Sequence, residues 1–142
     1  MLIGTYRYSL DEKKRMRVPS KFKDALGAGF IVTKGNGGCL FAFCRTTLQE
    51  DIIDKAKNLS MFDSNVQKPL RLLMSSAFQA DEDNQGRILL PQELREYAQI
   101  KKQIVFIGVG NRMEIWAEEV WNEYNSDADF DQTMSELAKL GV

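Results

Sequence analysis

Residues 9–19 read Ser-Leu-Asp-Glu-Lys-Lys-Arg-Met-Arg-Val-Pro, and residues 81–91 read Asp-Glu-Asp-Asn-Gln-Gly-Arg-Ile-Leu-Leu-Pro. Asp11, Arg15, Val18 and Pro19 in the first stretch answer to Asp83, Arg87, Leu90 and Pro91 in the second, at a constant offset of 72. A pattern that returns within one chain is an internal repeat, so the chain reads as two copies of one supersecondary unit. An acid four residues ahead of an arginine suits a tight turn. The carboxylate can accept the turn's backbone N–H groups and fix the guanidinium by a charge-assisted bond.

Outward from the first turn, Leu2 to Leu10 alternates, with Tyr6, Tyr8 and Leu10 on one phase, and predicts a strand. Met16-Arg17-Val18 is a short extended piece, Pro19 suits the first turn of a helix through Leu26, and Gly27 is placed to end it. Phe30 to Thr33, the Gly35-Asn36-Gly37-Gly38 turn and Cys39 to Phe43 form a hairpin. The second copy repeats the order. Phe78 to Asp83 leads into the turn, Arg87 to Leu90 is extended, and Gln92 to Ala98 is a short helix. Ile104 to Ile107, a turn over Gly108 to Arg112, and Met113 to Trp116 complete it. Each unit, about 45 residues, is too small to close a sheet alone, so the two are expected to interleave about one pseudo-two-fold axis and share a small barrel.

Helical sequence follows each copy. Thr47 to Glu50 fits a capping box opening a helix through Leu59, and Asp63 or Ser64 opens a second helix with Pro69 in its first turn or kinking it. Glu118 to Tyr124 predicts a helix burying Val120 and Trp121. After a loose charged linker at 126–131, Gln132 to Leu140 is helical and ordered only if something packs on Phe130, Met134, Leu137 and Leu140.

The chain has 142 residues, 44% of them apolar, which fits one compact unit with a real core. It contains no histidine, which removes Ser-His-Asp and Cys-His triads and the usual zinc and iron sites. Asp81, Glu82 and Asp83 could hold a divalent ion, but adjacent acids in a turn are usually solvated. Carboxylate pairs and lysine nucleophiles stay open, so the missing histidine weighs against an enzyme without closing it; no metal, no cofactor and no enzyme is the reading. Cys39 and Cys44 lie in an apolar run and read as buried thiols rather than a bridge. The N-terminus does not resemble a signal peptide and no apolar stretch approaches the ~20 residues of a membrane span, so a cytoplasmic protein with no membrane partner is expected.

Charge is unevenly placed. Residues 113–142 hold eight acids and one base, so they are −7 in a chain of net −1, and the rest is +6. The first 23 residues hold seven bases, among them Arg7, Lys13, Lys14, Arg15 and Arg17, against Asp11 and Glu12. Such clustering is an electrostatic footprint for nucleic acid, or a solvated face.

The opening Met-Leu-Ile-Gly-Thr-Tyr, the paired Asp-x-x-x-Arg motifs with their Val-Pro and Leu-Pro, Val32-Thr33-Lys34-Gly35, Gly38-Cys39-Leu40, and Ile107-Gly108-Val109 through Ile115-Trp116 together resemble the MraZ family. That family is bacterial and related to the AbrB and MazE swapped-hairpin DNA-binding proteins. The resemblance covers about residues 1 to 124. It implies an α+β fold, a tandem pair of AbrB-like βαβ-hairpin halves forming one pseudo-two-fold small β-barrel with flanking helices. The divisions expected are 5–47 and 76–119 for the halves, 48–75 for connecting helices, and 120–142 for a C-terminal helix and acidic tail. It also implies a transcriptional regulator of the division and cell-wall gene cluster, nucleoid-associated and binding promoter direct repeats as a ring-shaped homo-oligomer. The family usually has glycine before the motif arginine, as Gly86 stands before Arg87, but here Lys14 precedes Arg15. If that turn needs a positive φ, Lys14 is strained and the first turn differs from the second.

On this reading Arg15 meets the paired acceptors of guanine in double-stranded DNA, while Arg7, Lys13, Lys14 and Arg17 contact phosphates, and Arg87 supplies a second contact. Asp11, Asp83 and Gly86 organise the turns. The alternatives are that the acid–arginine pairs merely staple their turns, or that the ring is a scaffold for protein or peptide with DNA binding incidental.

Overall fold

A computed structural model describes residues 1–127 and 129–142. β1 (Leu2–Ser9) runs into the Asp11 turn and β2 (Arg15–Met16) leaves it; α1 (Ser20–Leu26), β3 (Ile31–Lys34) and β4 (Leu40–Phe43) follow. A helical arm comes next: α2 (Arg45–Leu48), a π turn (Gln49–Ile53), α3 (Asp54–Ala56) and α4 (Ser64–Ser76). The second copy supplies β5 (Phe78–Gln79), β6 (Ile88–Leu89), α5 (Gln92–Tyr97), β7 (Gln103–Gly110) and β8 (Met113–Ala117). α6 (Glu118–Ser126) and α7 (Phe130–Lys139) end the chain. Among the described residues no helix is long and apolar enough to cross a membrane.

The halves interleave. One antiparallel sheet has the order β1-β7-β8-β4-β3-β5, so the first strand of each copy pairs with the hairpin of the other, and the two hairpins meet at β8 and β4. The order is symmetric about that central pair, as a pseudo-two-fold exchange requires. The expected closure into a barrel is not found: β1 and β5 are free edges of an open six-stranded sheet. The reason is that β2 and β6 leave the sheet at the turns and pair only with each other, Arg15 opposite Leu89 and Met16 opposite Ile88. Met16 and Ile88 drop from this ribbon into the main core beside Phe22, Leu94, Ile104 and Phe106. On the other sheet face Cys39, Val105 and Trp116 form a smaller cluster under half-buried Val120 and Trp121 of α6.

Local expectations were met where the chemistry is local. Gly27 ends α1 at φ 77°, and the Asp63 carboxylate caps α4 by accepting the Asn65 N–H. Three expectations need correction. The arm helix starts at Arg45, putting Thr47 inside it with no side-chain cap, and it ends at Ala56. Gly108 is strand, not turn: it pairs with Gly4, and a Cβ there would lie 2.3 Å from the backbone of Leu2 and Ile3. This close approach demands glycine, and the turn comes later at Asn111 and Arg112. Of the expected loose linker at 126–131, Ser126 closes α6 and Phe130 and Asp131 open α7, while Ala128 lies outside the described residues.

Both cysteines are free thiols. Cys39 is buried and its pKa is pushed up to about 12 by desolvation, so it packs as a small apolar residue; Cys44 is partly exposed.

Candidate nucleic-acid interface

The two acid–arginine turns have the same wiring. Asp11 Oδ1 accepts the backbone N–H groups of Lys13 and Arg15 at 2.9 Å each, and its Oδ2 accepts Arg15 Nε at 2.7 Å. Asp83 Oδ1 accepts Gln85 and Arg87 N–H at 2.9 Å each, and its Oδ2 accepts Arg87 Nε at 2.8 Å. Each turn is closed by an acid N–H donating to the arginine carbonyl, 3.0 Å at Asp11 and 2.8 Å at Asp83. These bonds favour the ionised carboxylate. Asp11 titrates below its ordinary range, chiefly through the Arg15 backbone N–H, and Asp83 is lowered to about 2, chiefly through that of Arg87.

Lys14 and Gly86 occupy the same left-handed position, at φ 64° and 75°. The first turn therefore does not depart from the second. Lys14 bears the strain that a Cβ brings to this region, held there by the Asp11 carbonyl that accepts its N–H at 3.0 Å.

Pairing of β2 with β6 brings the turns side by side. Arg15 Nη1 reaches Asp83 Oδ2 at 3.6 Å, so Arg15 lies between both carboxylates. Arg17 Nη1 donates to the Gln85 carbonyl, and Lys23 Nζ of α1 sits 2.8 Å from Glu82 Oε2. Between the turns opens a cleft of about 620 Å³ whose lining includes Arg15, Arg17, Lys23, Arg87 and Asp11, with Asp83 and Glu82 paired to Arg15, Arg87 and Lys23. Four guanidinium or ammonium groups converging on one cleft, with their directions already fixed, form a ready site for phosphate oxygens or a base edge.

The structure thus gathers Arg15, Arg17 and Arg87 around one cleft, with Asp11, Asp83 and Gly86 supporting it. Lys13 and Lys14 stand exposed at the tip of the first turn, and among the described residues neither is ion-paired. Arg7 is elsewhere. Strand alternation turns it away from Tyr6 and Tyr8, and it meets Asn122 Oδ1 at 3.3 Å and Glu118 Oε1 at 3.7 Å on α6. Lys23 was not singled out from sequence beyond its place in the basic N-terminal run. Of the three acids considered for a cation, Glu82 pairs with Lys23 and Asp83 with its turn; among the described residues no group of three potential ligands is arranged to hold a metal.

A family model described as "MraZ protein, putative antitoxin-like" matches residues 1–71 and 73–140. The chain belongs to the MraZ family. Full-length relatives, each aligned over all of both chains and each named "Transcriptional regulator MraZ", include those of Clostridium beijerinckii at 45% identity, Clostridium acetobutylicum at 41% and a Thermoanaerobacter species at 40%. The two matched segments divide within α4, which carries the first copy into the second. In this MraZ-family chain each matched segment holds one of the paired turns, Asp11–Arg15 in the first and Asp83–Arg87 in the second.

Proposed function

We propose that the protein is a sequence-specific DNA-binding transcriptional regulator and that the cleft between the two turns is its DNA-reading surface. The observation that carries this is the convergence of Arg15, Arg17, Lys23 and Arg87, oriented by Asp11 and Asp83, on one side of the β2–β6 ribbon. A two-stranded ribbon with a projecting turn fits the major groove, where an arginine can donate both of its forked N–H groups to guanine O6 and N7. Arg15 is the principal reader, since two carboxylates limit its directions, and Arg87 supplies a second contact. Lys13, Lys14, Arg17 and Lys23 set register through phosphates, and Arg7 serves the fold through α6 unless its pair is released.

The strand exchange supports the relation to tandem AbrB-like halves, 5–47 and 76–119. One chain offers a small surface, so a ring-shaped homo-oligomer would gain affinity by engaging several promoter direct repeats at once. The target is the promoter of the division and cell-wall gene cluster, and the protein works in the cytoplasm at the nucleoid. The test is footprinting on the chain's own upstream promoter, with duplex titrations in rising salt. Protection of spaced repeats and a preference over scrambled duplex that survives moderate salt are expected. Equal affinity for both duplexes at every salt concentration would overturn the reading.

A further inference from the structure

The chain's two tryptophans, Trp116 and Trp121, meet on the sheet face away from the main core, with Tyr124 beside them. Trp116 belongs to β8 and is buried, whereas Trp121 and Tyr124 lie one turn apart on α6. Ring centroids are 5.3 Å apart for the tryptophan pair, 4.9 Å for Trp116 and Tyr124, and 6.1 Å for Trp121 and Tyr124. Packing of α6 on the sheet accounts for the tryptophans but not for Tyr124, which is 64% exposed. The three rings wall a pocket of about 590 Å³ that Phe41, Arg112 and Glu114 also line and that shares no residue with the cleft between the turns. Such a volume, with aromatic walls and a few fixed polar groups, is that of a small-molecule site.

The polar groups are held in place. Buried Glu114 accepts Trp116 Nε1–H through Oε1 at 3.1 Å and Arg112 Nε–H through Oε2 at 3.0 Å, with Arg112 Nη2 2.8 Å from the same oxygen. The Arg112 guanidinium lies 4.4 Å over the Phe41 ring, and its Nη1 donates to the Asn111 side-chain carbonyl at 3.1 Å. A guanidinium carries five N–H donors, so one on each Nη remains, in a plane these contacts fix. The charges of Glu114 and Arg112 offset each other, which favours an uncharged ligand. The helix that supplies two of the rings also carries Glu118, Glu119 and Glu123 and no base, a field that opposes phosphate.

From these features we infer that the pocket is a binding site for an uncharged oxopurine base or nucleoside, its ring stacked on Trp121 and Tyr124 and its O6 and N7 accepting the two remaining Arg112 N–H groups. Each requirement comes from a different part of the wall. The rings take a π face, the Arg112 fork takes two acceptors on one edge, and the acids of α6 exclude a phosphate. Adenine fails the second requirement, because its N6 amino group sets a donor against a donor. The site lies apart from the surface assigned to DNA, so either assignment can fail without the other.

Both tryptophans line this pocket and neither lines the cleft, so intrinsic tryptophan emission reports on it directly. The full-length protein, in whatever assembly it forms, is titrated with inosine and with adenosine. Inosine should quench the emission saturably and bind at least about 5-fold more tightly than adenosine, the lower end of what a bidentate contact discriminates. Inosine monophosphate should bind more weakly than inosine. Tyr124→Ala, at an exposed side chain, should weaken inosine by at least about 5-fold through the loss of one stacking ring, with an unchanged far-UV spectrum. Arg112→Lys keeps a cation beside Glu114 but loses the fork, so it should erase the preference for inosine over adenosine. Should that variant not fold, the wild-type preference and Tyr124→Ala decide. Quenching that rises linearly, equal curves for inosine and adenosine, or a folded Tyr124→Ala protein that binds inosine as the wild type does overturns the site. So does an emission that neither nucleoside changes, the result expected if a second copy of the chain already fills the pocket.

Discussion

Replacing Lys14 by glycine should strengthen the fold while weakening DNA binding. Lys14 sits at φ 64°, where an L-residue pays about 1–2 kcal/mol, and glycine would relieve that while returning about 0.4–1 kcal/mol through its freer unfolded chain. The net gain is about 0.5–1 kcal/mol, or roughly 2–3 °C in Tm for a chain of this size. Gly86, the repeat-related position at φ 75°, predicts the mirror result. A Cβ there meets Lys23 Nζ at 3.4 Å and Glu82 Oε2 at 3.8 Å, the ends of side chains that can shift, so the backbone sets the cost and Gly86→Ala should lose about 0.5–1 kcal/mol. Both are read by urea unfolding. On DNA, Lys14→Gly should remove the phosphate contact proposed for Lys14 and lower the slope of log affinity against log salt by about 0.9. A destabilised Lys14→Gly protein with a neutral Gly86→Ala would refute the equivalence of the turns. An unchanged salt slope would refute the phosphate contact.

Stability should fall with acid through the same turns. Asp11 and Asp83 both titrate lower in the fold than in the unfolded chain, so their contribution is complete above the unfolded value of 3.8 and is lost as pH falls below it, for Asp83 toward about 2. Urea midpoints at pH 6, 4 and 3 should show this loss, and Asp83→Asn should flatten it; an identical pH profile in the variant would contradict the assignment. Gly108→Ala should cost about 2–3 kcal/mol or more, because its Cβ would meet backbone of β1 that cannot swing aside as a side chain can. Hydrogen exchange should place the damage in β1, and undisturbed β1 amides would show that the strands do not approach so closely.

Much of this architecture was legible because its signals are local. The repeated Asp-x-x-x-Arg, the prolines opening α1 and α5, and Gly27 each act within a few residues, and each stands where the pattern put it. Strand exchange followed from the small size of one copy, but the open sheet did not. It depends on β2 meeting β6, a two-residue ladder between segments about seventy residues apart, which neither periodicity nor turn chemistry encodes. Gly108 was misread as a turn because glycine serves close backbone approach and tight turns alike. At the cleft, the wiring of each turn was readable from the acid-to-arginine spacing. The placement of Lys23 and the docking of Arg7 on Glu118 and Asn122 were not, since their partners come from distant sequence. Period-two alternation did put Arg7 opposite Tyr6 and Tyr8, a hint that outweighs its membership in the basic run.

The most direct test of the paired-turn account compares Arg15→Ala and Arg87→Ala with the wild-type protein. Fluorescence polarisation would use a duplex carrying the upstream repeats and a scrambled duplex of equal length. Arg15→Ala should cost about 10- to 100-fold on the repeats, the worth of a bidentate base contact, and little on the scrambled duplex, with Arg87→Ala acting in the same sense. A ratio of the two affinities that is unchanged in both variants would contradict the claim that these turns read DNA.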